Sequence, residues 1–433
     1  MAPDSVDGVK LLVIGTGARE HAIVRALLRD PEVSAVVAAP GNAGIAADVP
    51  VRAVDPLDPV AVAALAREES ADLVVVGPEA PLVAGVADAV REAGIACFGP
   101  SAQAARLEGS KAFAKEVMAA AGVPTAMAHV CTTTEQVAAA LDAFGAPYVV
   151  KDDGLAAGKG VVVTDDRTEA DAHAAACLER PGGAVLIEEF LDGPEVSLFC
   201  VCDGTTVVPM PPAQDFKRAR DGDLGPNTGG MGAYTPLPWA PAALVDEVVA
   251  RVAQPVVDEL ARRGTPFSGL LYCGLALTSR GMRVVEFNAR FGDPETEAVL
   301  ALLDSGLGVL LDAAARGRLD RLPAPSWRGG SAVTVVLASQ GYPAAPRTGD
   351  CLEGLDAAAG IEGVDVLHAG TTSGADGEVL SAGGRVLAVT AYGADLAQAR
   401  ERAYDAIALV DLPGGHYRHD IALAAERGEV LAP

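Results

Sequence analysis

The feature that most constrains the fold is an apolar run that stops at a glycine turn and continues as a helical pattern. Residues 10–14 (K-L-L-V-I) lead into residues 15–17 (G-T-G), and residues 19–28 then carry apolar side chains at helical spacing. The same change from apolar run to glycine recurs at 73–77 and at 95–99. Strands that alternate with helices in this way predict a doubly wound α/β domain at the start of the chain.

The glycine turn is not a complete dinucleotide fingerprint. Glu20 stands where the pattern G-x-G-x-x-G has its third glycine, and the next apolar run (35–39) ends in residues 40–42 (P-G-N) without a ribose-binding acid. These departures argue against an NAD-dependent dehydrogenase. The backbone N–H groups around Gly15 and Gly17 could still approach one phosphate at the helix N-terminus.

The composition limits the partners of the chain. Its 433 residues are enough for about three domains. The formal net charge of −25 argues against non-specific binding to nucleic acid or to an anionic membrane. The seven cysteines contain no C-x-x-C pair and read as reduced residues, and neither a signal-peptide pattern nor a membrane-length apolar run is present. We expect a cytoplasmic protein that acts on small molecules. A monomer is compatible with these observations.

A second informative stretch reads V-E-F-N-A-R-F-G-D-P-E. If residues 282–290 form a strand, alternation places Glu286, Asn288 and Arg290 on one face and the odd-numbered residues 285–289 on the core face. A carboxylate and an amide oxygen suit a hard divalent cation, and a guanidinium suits a carboxylate or phosphoryl group. A half-buried strand with a solvated polar face would show the same pattern.

Two stretches combine lysines with a helix start or a glycine-rich loop. Ser110 should cap a helix that carries Lys111. Lys151 ends a predicted strand, and residues 153–160 (D-G-L-A-A-G-K-G) follow it without the P-loop pattern. Such a loop could close over a triphosphate with its amides while Lys151 and Lys159 supply charge, although a solvated hairpin is the alternative.

Three further segments are candidates for ligand contacts. Glu79 follows a predicted strand and is either a substrate contact or a helix-capping acid. Residues 188–195 (E-E-F-L-D-G-P-E) could offer backbone groups to a base, with Glu195 for ribose hydroxyls. We interpret residues 213–236, which are dense in glycine, as a long substrate loop.

The pattern changes past Trp327. Short apolar runs at 332–338 and 386–391 and one helical pattern at 396–409 predict a separate α+β domain. Arg385 lies in a glycine loop just before the second of these strands.

Four motifs together carry a family resemblance that runs from Val9 to about Asp420. They are K-D-D-G-L-A-A-G-K-G-V (151–161), E-E-F-L-D-G (188–193), G-P-N-T-G-G-M-G-A-Y (225–234) and V-E-F-N-A-R-F-G-D-P-E (285–295). This set resembles the glycinamide ribonucleotide synthetase family of ATP-grasp ligases. The resemblance implies an N-terminal α/β domain (1–107), a central ATP-grasp domain (108–125 and 192–328), a small ATP-lid subdomain (126–191) and a C-terminal α+β domain (329–433).

The resemblance also implies a reaction and its residues. The family joins glycine to 5-phosphoribosylamine with ATP, through a glycyl phosphate, in purine synthesis. By matched motif, Glu286 and Asn288 should bind Mg²⁺ or Mn²⁺, and Arg290 and Lys217 should be catalytic. The residues expected to bind ATP are Lys111, Lys151, Gly158, Lys159, Gly160, Glu188, Glu189, Phe190, Leu191 and Glu195, and those expected to bind substrate are Gly15, Gly17, Glu79, Asp215, Asn227, Thr228, Gly229, Asp293 and Arg385.

The chain departs from the usual family pattern at four positions. Asp152 replaces alanine, Phe216 replaces histidine, Ala289 replaces cysteine and Ala18 replaces glycine. Alternatives to the main hypothesis are a formate-using transformylase or biotin-type carboxylase of the same superfamily, and a nucleotide-binding regulatory protein without activity. The 225–234 motif argues against the transformylase, the lack of a biotin-carrier motif argues against the carboxylase, and the intact charged residues argue against the inactive protein.

Overall fold

The computed structural model describes residues 8–154, 160–180 and 183–432. Its N-terminal part contains a four-stranded parallel sheet in the order β2-β1-β3-β4, as the repeated strand–glycine pattern predicts. Alternate residues of β1 enter two different core clusters, so both faces of the sheet are buried. The elements are β1 (Val9–Gly15), α1 (Ala18–Leu28), β2 (Val33–Pro40), α2 (Ala43–Asp48), α3 (Pro59–Glu68), β3 (Leu73–Val76), α4 (Glu79–Val83), α5 (Val86–Glu92), β4 (Ala96–Phe98) and α6 (Ala102–Gly109).

The next segment forms a small lid with its own core. A four-stranded antiparallel sheet in the order β5-β8-β6-β7 packs against two helices around a separate apolar cluster. The helix that precedes the lid begins directly after Ser110, whose side chain accepts a hydrogen bond from the Phe113 N–H, as predicted. The elements are α7 (Lys111–Ala121), β5 (Ala128–Cys131), α8 (Thr134–Phe144), β6 (Tyr148–Asp152), β7 (Val161–Thr164), α9 (Arg167–Leu178) and β8 (Val185–Glu188).

The central part is built on a second antiparallel sheet in the order β10-β9-β15-β16. The hairpin of β15 and β16 confirms the prediction of two strands joined at residues 279–281. The elements are β9 (Glu195–Asp203), β10 (Val207–Pro209), β11 (Gln214–Asp215), β12 (Arg218–Arg220), β13 (Leu224–Asn227), β14 (Gly232–Thr235), α10 (Leu244–Val248), α11 (Gln254–Arg262), β15 (Ser268–Thr278), β16 (Gly281–Asn288), α12 (Glu295–Ala301) and α13 (Leu307–Ala315).

The remainder of the chain completes a five-stranded sheet in the order β11-β14-β17-β21-β18. Two of these strands come from residues 213–236, so the prediction of a long loop there is wrong for much of that stretch. The C-terminal module shares this sheet with the central part, because β14 pairs along its whole length with β17. The partners lie about a hundred positions apart, which no local pattern reveals. The elements are β17 (Ser331–Ala338), α14 (Leu355–Ala359), β18 (Val364–His368), β19 (Thr371–Ser373), β20 (Val379–Ser381), β21 (Arg385–Gly393), α15 (Leu396–Ile407) and α16 (Leu423–Glu426).

The N-terminal and C-terminal parts meet at a buried histidine. His21 Nδ1 accepts the His368 N–H at 2.8 Å, and its Nε2 lies 2.9 Å from an Asp48 carboxylate oxygen. Asn42 Nδ2 donates to the His368 carbonyl at 2.7 Å. Burial lowers the pKa of His368 to about 4, so this ring is neutral at neutral pH. Among the described residues, no helix has the length and apolarity to cross a membrane.

The predicted alternation in β16 holds from residue 286 onward. Glu286 and Asn288 are half-buried, whereas Phe287 is buried and Ala289 follows it on the core side. Val285, however, lines the cavity described below instead of lying in the core. The reason is a register shift against β15, where one residue of β16 is left without a partner and the side-chain alternation changes phase.

Helix α12 joins the parts of the chain, because it packs against α1 and against β14, β17 and β21. Glu297 on this helix is 1% exposed, and neither of its carboxylate oxygens has a hydrogen-bond partner among the described residues. Burial, together with the charge of Asp293, raises the pKa of Glu297 well above its usual value. The folded protein therefore keeps a proton on Glu297 that the unfolded chain releases.

This proton makes the stability depend on pH. Because the native pKa of Glu297 is raised, the free energy of unfolding should fall as pH rises above the unfolded value of about 4.3. Glu297→Gln cannot ionise, so its advantage over the wild type should grow with pH and exceed about 1 kcal/mol at pH 8. Thermal and urea unfolding between pH 5.5 and 8.5 measure this. The exposed control Glu68→Gln should show no such growth, and an advantage of Glu297→Gln independent of pH would contradict the explanation.

Candidate active site

A cavity of about 1070 Å³ lies where the N-terminal sheet, the lid, the central sheet and the start of β21 meet. Most of the side chains singled out from the sequence line it. Gly15 and Gly17 do not, and Gly158 and Lys159 lie outside the described residues. The predicted site residues that line the cavity are Glu79, Lys111, Lys151, Gly160, Glu188, Glu189, Phe190, Leu191, Glu195, Asp215, Lys217, Asn227, Thr228, Gly229, Glu286, Asn288, Arg290, Asp293 and Arg385.

Arg290 is held between two carboxylates that come from different parts of the chain. Its Nε donates to Glu79 Oε2 at 3.0 Å, and its Nη2 lies 3.2 Å from Glu108 Oε1. Burial opposes the charge on Arg290, but Glu108 and Glu79 raise its pKa. Glu79 is the first residue of α4 and is an ion-pair partner as well as a helix-start acid. The guanidinium is thereby fixed, and remains a permanent cation beside Asn288.

Glu286 and Asn288 present the oxygens that a divalent cation needs. Burial opposes ionisation of Glu286, but the ammonium groups of Lys217 and Lys151 bring its pKa below the usual value, so it is a carboxylate at neutral pH. Among the described residues no group of three or more His, Cys, Asp or Glu side chains could hold a metal alone. Mg²⁺ commonly binds through one or two protein oxygens, while phosphate oxygens and water complete its coordination.

The Asn288 amide has one orientation that satisfies its neighbours. With its nitrogen toward Glu108, Nδ2 donates to Glu108 Oε1 at 3.1 Å and to the Phe287 carbonyl at 3.3 Å. The opposite orientation would bring the amide oxygen against two other acceptors. The satisfied orientation turns the Asn288 carbonyl oxygen away from Glu108, where it is available as a ligand.

One lysine of the lid and one lysine of α7 share a buried carboxylate. Glu188 is 3% exposed, with Lys151 Nζ 2.7 Å from one oxygen and Lys115 Nζ 2.9 Å from the other. Lys151 Nζ also donates to the Val285 carbonyl at 3.1 Å, which ties the lid to the central sheet. Burial lowers the pKa of Lys115 although Glu188 acts in the opposite direction. The Glu188 side chain is therefore engaged by cations, and its predicted role toward adenine stays a prediction.

The first residues of the glycine loop are attached to the helix before the lid. The Asp153 carboxylate accepts the Ala112 N–H at 3.1 Å at the N-terminus of α7. Lys111 Nζ donates to the Gly154 carbonyl at 3.0 Å. Asp152, which replaces an alanine of the family pattern, forms its ion pair with Arg180. Lys111, one of the predicted phosphate lysines, thus holds the start of the loop in place.

The segment between lid and central sheet forms one edge of the cavity. The Glu189 N–H donates to the Met127 carbonyl at 3.0 Å, and its carboxylate pairs with Arg280 at 2.9 Å. Phe190 is 45% exposed, and its ring is thus open to a ligand. Glu195 begins β9, and its Oε2 lies 2.5 Å from Lys217 Nζ. The backbone N–H of Glu189 is therefore already hydrogen-bonded within the protein. The predicted backbone contacts with the adenine base would have to come from the neighbouring residues.

A polar network lies beside Glu286. Burial raises the pKa of Asp215 to about 7, against the opposing effect of Lys217, and the pKa of Lys217 is raised by Asp215 although burial opposes this. Tyr272 donates to Ser197 Oγ at 2.8 Å, because Ser197 uses its own proton toward Glu295 Oε1 at 3.0 Å. The network places alternating acids and donors on the wall opposite the lid.

Arg385 closes the cavity from the C-terminal side. Its Nη1 donates to the Gly229 carbonyl at 2.7 Å and lies 2.9 Å from Asp293 Oδ1. The Gly229 N–H donates to the Tyr342 hydroxyl at 3.0 Å, and the Thr228 hydroxyl donates to the Lys217 carbonyl at 2.9 Å. The glycine-rich stretch is thus held by contacts from two sides, and Arg385 and Asp293 do meet as the sequence predicts.

The first glycine turn differs from the expectation. The Gly17 N–H donates to Glu20 Oε2 at 2.6 Å, and Glu20 also pairs with Arg19. A side chain added at Gly15 would collide with the Glu20 carboxylate. The space that was expected to receive a phosphate near these two glycines is therefore filled by a carboxylate of the same helix. Glu20 stands three residues after Gly17, the spacing of a capping box, so the sequence carried a signal for this contact.

The other departures from the family pattern are accommodated by packing. The Arg418 guanidinium, 1% exposed, lies 4.9 Å from the Phe216 ring centroid in a cation–π contact. Ala289 and Ala18 are each 1% exposed and fill the core. Phe216 thus joins the central part to the C-terminal segment and has no titratable group.

Sequence reasoning missed several residues at the cavity. Lys115 is one turn after Lys111 on the same helix, so helical spacing could have indicated it. Glu108 and Tyr272 had no such signal, because their side chains meet the site only through contacts between distant segments. Glu295 is the last residue of the fourth motif and could have been named from it.

Comparison with known proteins covers almost the whole chain. The phosphoribosylamine–glycine ligase of Streptomyces coelicolor is 66% identical over 419 residues, which are 96% of this chain and 99% of that protein. The crystal structure of phosphoribosylamine–glycine ligase from Thermotoga maritima has a TM-score of 0.83 at 32% identity and covers 96% of this chain and 100% of that one. The biotin carboxylase domain of Hydrogenobacter thermophilus 2-oxoglutarate carboxylase, at 17% identity and a TM-score of 0.72 over 94% of this chain and 91% of that one, shares the fold.

Family profiles agree with these similarities. Residues 9–108 match the N domain of phosphoribosylglycinamide synthetase, residues 109–296 match its ATP-grasp (A) domain, and residues 332–424 match its C domain. Together these matches span most of the chain in the order expected from the four motifs. The chain belongs to the phosphoribosylglycinamide synthetase family and contains that family's ATP-grasp domain.

Proposed function

We propose that the chain ligates glycine to 5-phosphoribosylamine with ATP, giving glycinamide ribonucleotide, ADP and phosphate in purine biosynthesis. The observation that carries the proposal is the cavity, where lysines from α7 and the lid face the oxygens of Glu286 and Asn288 while Arg385 and Asp293 close the other side. Relatives over nearly the full length bear the name of this ligase. The division into domains at residues 107, 125, 191 and 328 is part of the proposal, and the profile boundary after residue 108 supports the first of them.

The chemistry requires activation of a carboxylate. Glycine takes the γ-phosphoryl group of ATP on a carboxylate oxygen, which releases ADP and gives glycyl phosphate. The amine of 5-phosphoribosylamine then attacks the carbonyl carbon, the C–O bond to phosphate breaks, and the amine loses a proton. Lys111 and Lys151 supply positive charge to the ATP phosphates. Arg290 stabilises negative charge on the transferring group or on the glycine carboxylate, and Lys217 is assigned a catalytic role as well. Catalysis of this type depends on positioning and fixed charge.

Mg²⁺ or Mn²⁺ is proposed at Glu286 and Asn288. The donor set fits, because one oxygen is an ionised carboxylate and the other is an amide carbonyl turned away from Glu108. When bound, the ion neutralises phosphate charge. Residues 188–191 are assigned to adenine and Glu195 to the ribose, with Gly160 at the edge of the lid. The exposed Phe190 ring supports the adenine assignment.

The sugar phosphate is assigned to the opposite end of the cavity. Arg385 lies there with Asp293 and the Gly229 carbonyl. Glu79 stays near this end through its pairing with Arg290. All seven cysteines lie in the described part of the chain and are free thiols, which supports a cytoplasmic location.

The test of the reaction is phosphate release. We expect ATP-dependent phosphate release only when glycine and 5-phosphoribosylamine formed in situ are both present, with glycinamide ribonucleotide detected by mass spectrometry. Phosphate release that requires neither or only one of the two would refute the assignment. Bicarbonate or formate in place of glycine serves as the control for the carboxylase and transformylase alternatives.

Glu286→Gln should abolish turnover at ordinary magnesium concentrations. Loss of the anionic ligand removes several kcal/mol of interaction with the metal and its phosphates, so kcat should fall by about 100-fold or more. Activity is measured while Mg²⁺ is varied. Glu92→Gln, which removes an exposed carboxylate on α5, is the matched control. Wild-type activity of Glu286→Gln at low Mg²⁺ would contradict the role.

Arg385→Ala should act mainly on the sugar substrate. Removing a charge-assisted contact worth about 1.5–3 kcal/mol predicts a rise in the KM for 5-phosphoribosylamine of about 10- to 100-fold, with a smaller change in the KM for ATP. Initial rates at varied concentrations of each substrate separate the two effects. Arg321→Ala removes an exposed arginine and serves as the control. Equal rises in both KM values would instead indicate that Arg385 only holds the fold together.

A further inference from the structure

Glu108 is a buried acid that neither the four motifs nor the proposed mechanism uses. It lies near the end of α6, two residues before Ser110. Its carboxylate nevertheless reaches across to the segment 288–290, about 180 positions away along the chain. A carboxylate that is removed from water and directed at this segment requires donors to satisfy it.

Three donors from consecutive residues converge on the Glu108 carboxylate. Oε2 accepts the Ala289 N–H at 2.7 Å. Oε1 lies 3.2 Å from Arg290 Nη2 and 3.1 Å from the Asn288 amide nitrogen in its satisfied orientation. The carboxylate therefore contacts the backbone of the segment, the arginine and the asparagine at the same time. No other described residue both pairs with Arg290 and accepts a hydrogen bond from Asn288.

We propose that Glu108 is a positioning residue that orients Asn288 as a metal ligand and fixes Arg290 beside it. An asparagine amide can bind a cation only through its oxygen, and rotation by half a turn would present the nitrogen. Glu108 excludes that rotated state, because it would face the Asn288 oxygen with another acceptor. This inference deepens the proposed function and rests on it.

The geometry distinguishes orientation from simple charge neutralisation. Arg290 keeps a second partner in Glu79 at 3.0 Å, so its charge does not depend on Glu108 alone. The Asn288 nitrogen has Glu108 as its side-chain acceptor, its other acceptor being the adjacent Phe287 carbonyl. The effect of changing Glu108 should therefore appear chiefly in metal binding through Asn288.

The first measurement is the binding of Mn²⁺ in the presence of a non-hydrolysable ATP analogue. Electron paramagnetic resonance of the free Mn²⁺ reports how much has bound. In Glu108→Gln the amide oxygen should stay on the Ala289 N–H, so the amide nitrogen faces Asn288 and favours the rotated state. We expect its Mn²⁺ dissociation constant to rise about 10- to 100-fold, the usual range for loss of a group that orients a ligand. Glu116→Gln, an exposed acid on α7, should bind Mn²⁺ as the wild type does.

The decisive comparison repeats the substitution with Asp at position 288. A carboxylate offers an oxygen in either orientation, so Glu108→Gln combined with Asn288→Asp should bind Mn²⁺ within about 3-fold of Asn288→Asp alone. A general structural defect would cost the same in both backgrounds. Equal losses in the two backgrounds, or no loss in Glu108→Gln with Asn288 in place, would overturn the positioning role.

Glu108→Asp protects the test against misfolding of the glutamine variant. It keeps the negative charge beside Arg290 but withdraws it by one methylene from Asn288, so we expect a loss of Mn²⁺ affinity of about 10-fold. Wild-type affinity in Glu108→Asp would show that charge alone matters and would overturn the proposal. Failure of the wild type itself to bind Mn²⁺ with the analogue would instead refute the proposed metal site.

Discussion

The interaction on which the site depends is the pairing of one guanidinium with two carboxylates. Arg290 at the end of the central hairpin contacts Glu79 from the N-terminal part and Glu108 from the helix that follows it. Breaking a buried pair of this kind leaves an uncompensated charge, which costs roughly 3–5 kcal/mol. The pairing therefore fixes the distance between the N-terminal sheet and the end of β16. It also keeps the guanidinium charged, because the two carboxylates raise the pKa of Arg290.

A carboxylate shared by two cations also holds the lid against the rest of the chain. Glu188 binds Lys115 from α7 and Lys151 from β6, so one buried carboxylate holds together two cations that would otherwise repel each other. Lys151 also reaches the backbone of β16. The lid sheet has its own apolar core, and these ion pairs and this hydrogen bond join it to the rest of the chain beside the cavity.

The third side of the cavity depends on a sheet that crosses the domains. β14 comes from the glycine-rich stretch and pairs with β17, and α12 packs on this sheet and on α1. Arg385 at the start of β21 is consequently placed against Asp293 and Gly229. Glu297, whose carboxylate has no partner in the described part of the chain, lies on the same helix, in a setting where a charged group is costly. The C-terminal residues thus belong to the site because a strand from the central part belongs to their sheet.

The sequence by itself determined the local elements and the chemistry that they carry. The strand–glycine–helix pattern, the hairpin ending in Glu286 and Asn288, and the Ser110 cap follow from short-range spacing, and the motifs sufficed to indicate the family. Only the tertiary structure decided which groups face one another. Glu108 reaching Asn288 and β14 joining a distant sheet each depend on contacts between segments whose spacing in the chain carries no signal. Their physical reason is common to both, because a buried polar group takes whatever partner the fold brings within hydrogen-bond distance.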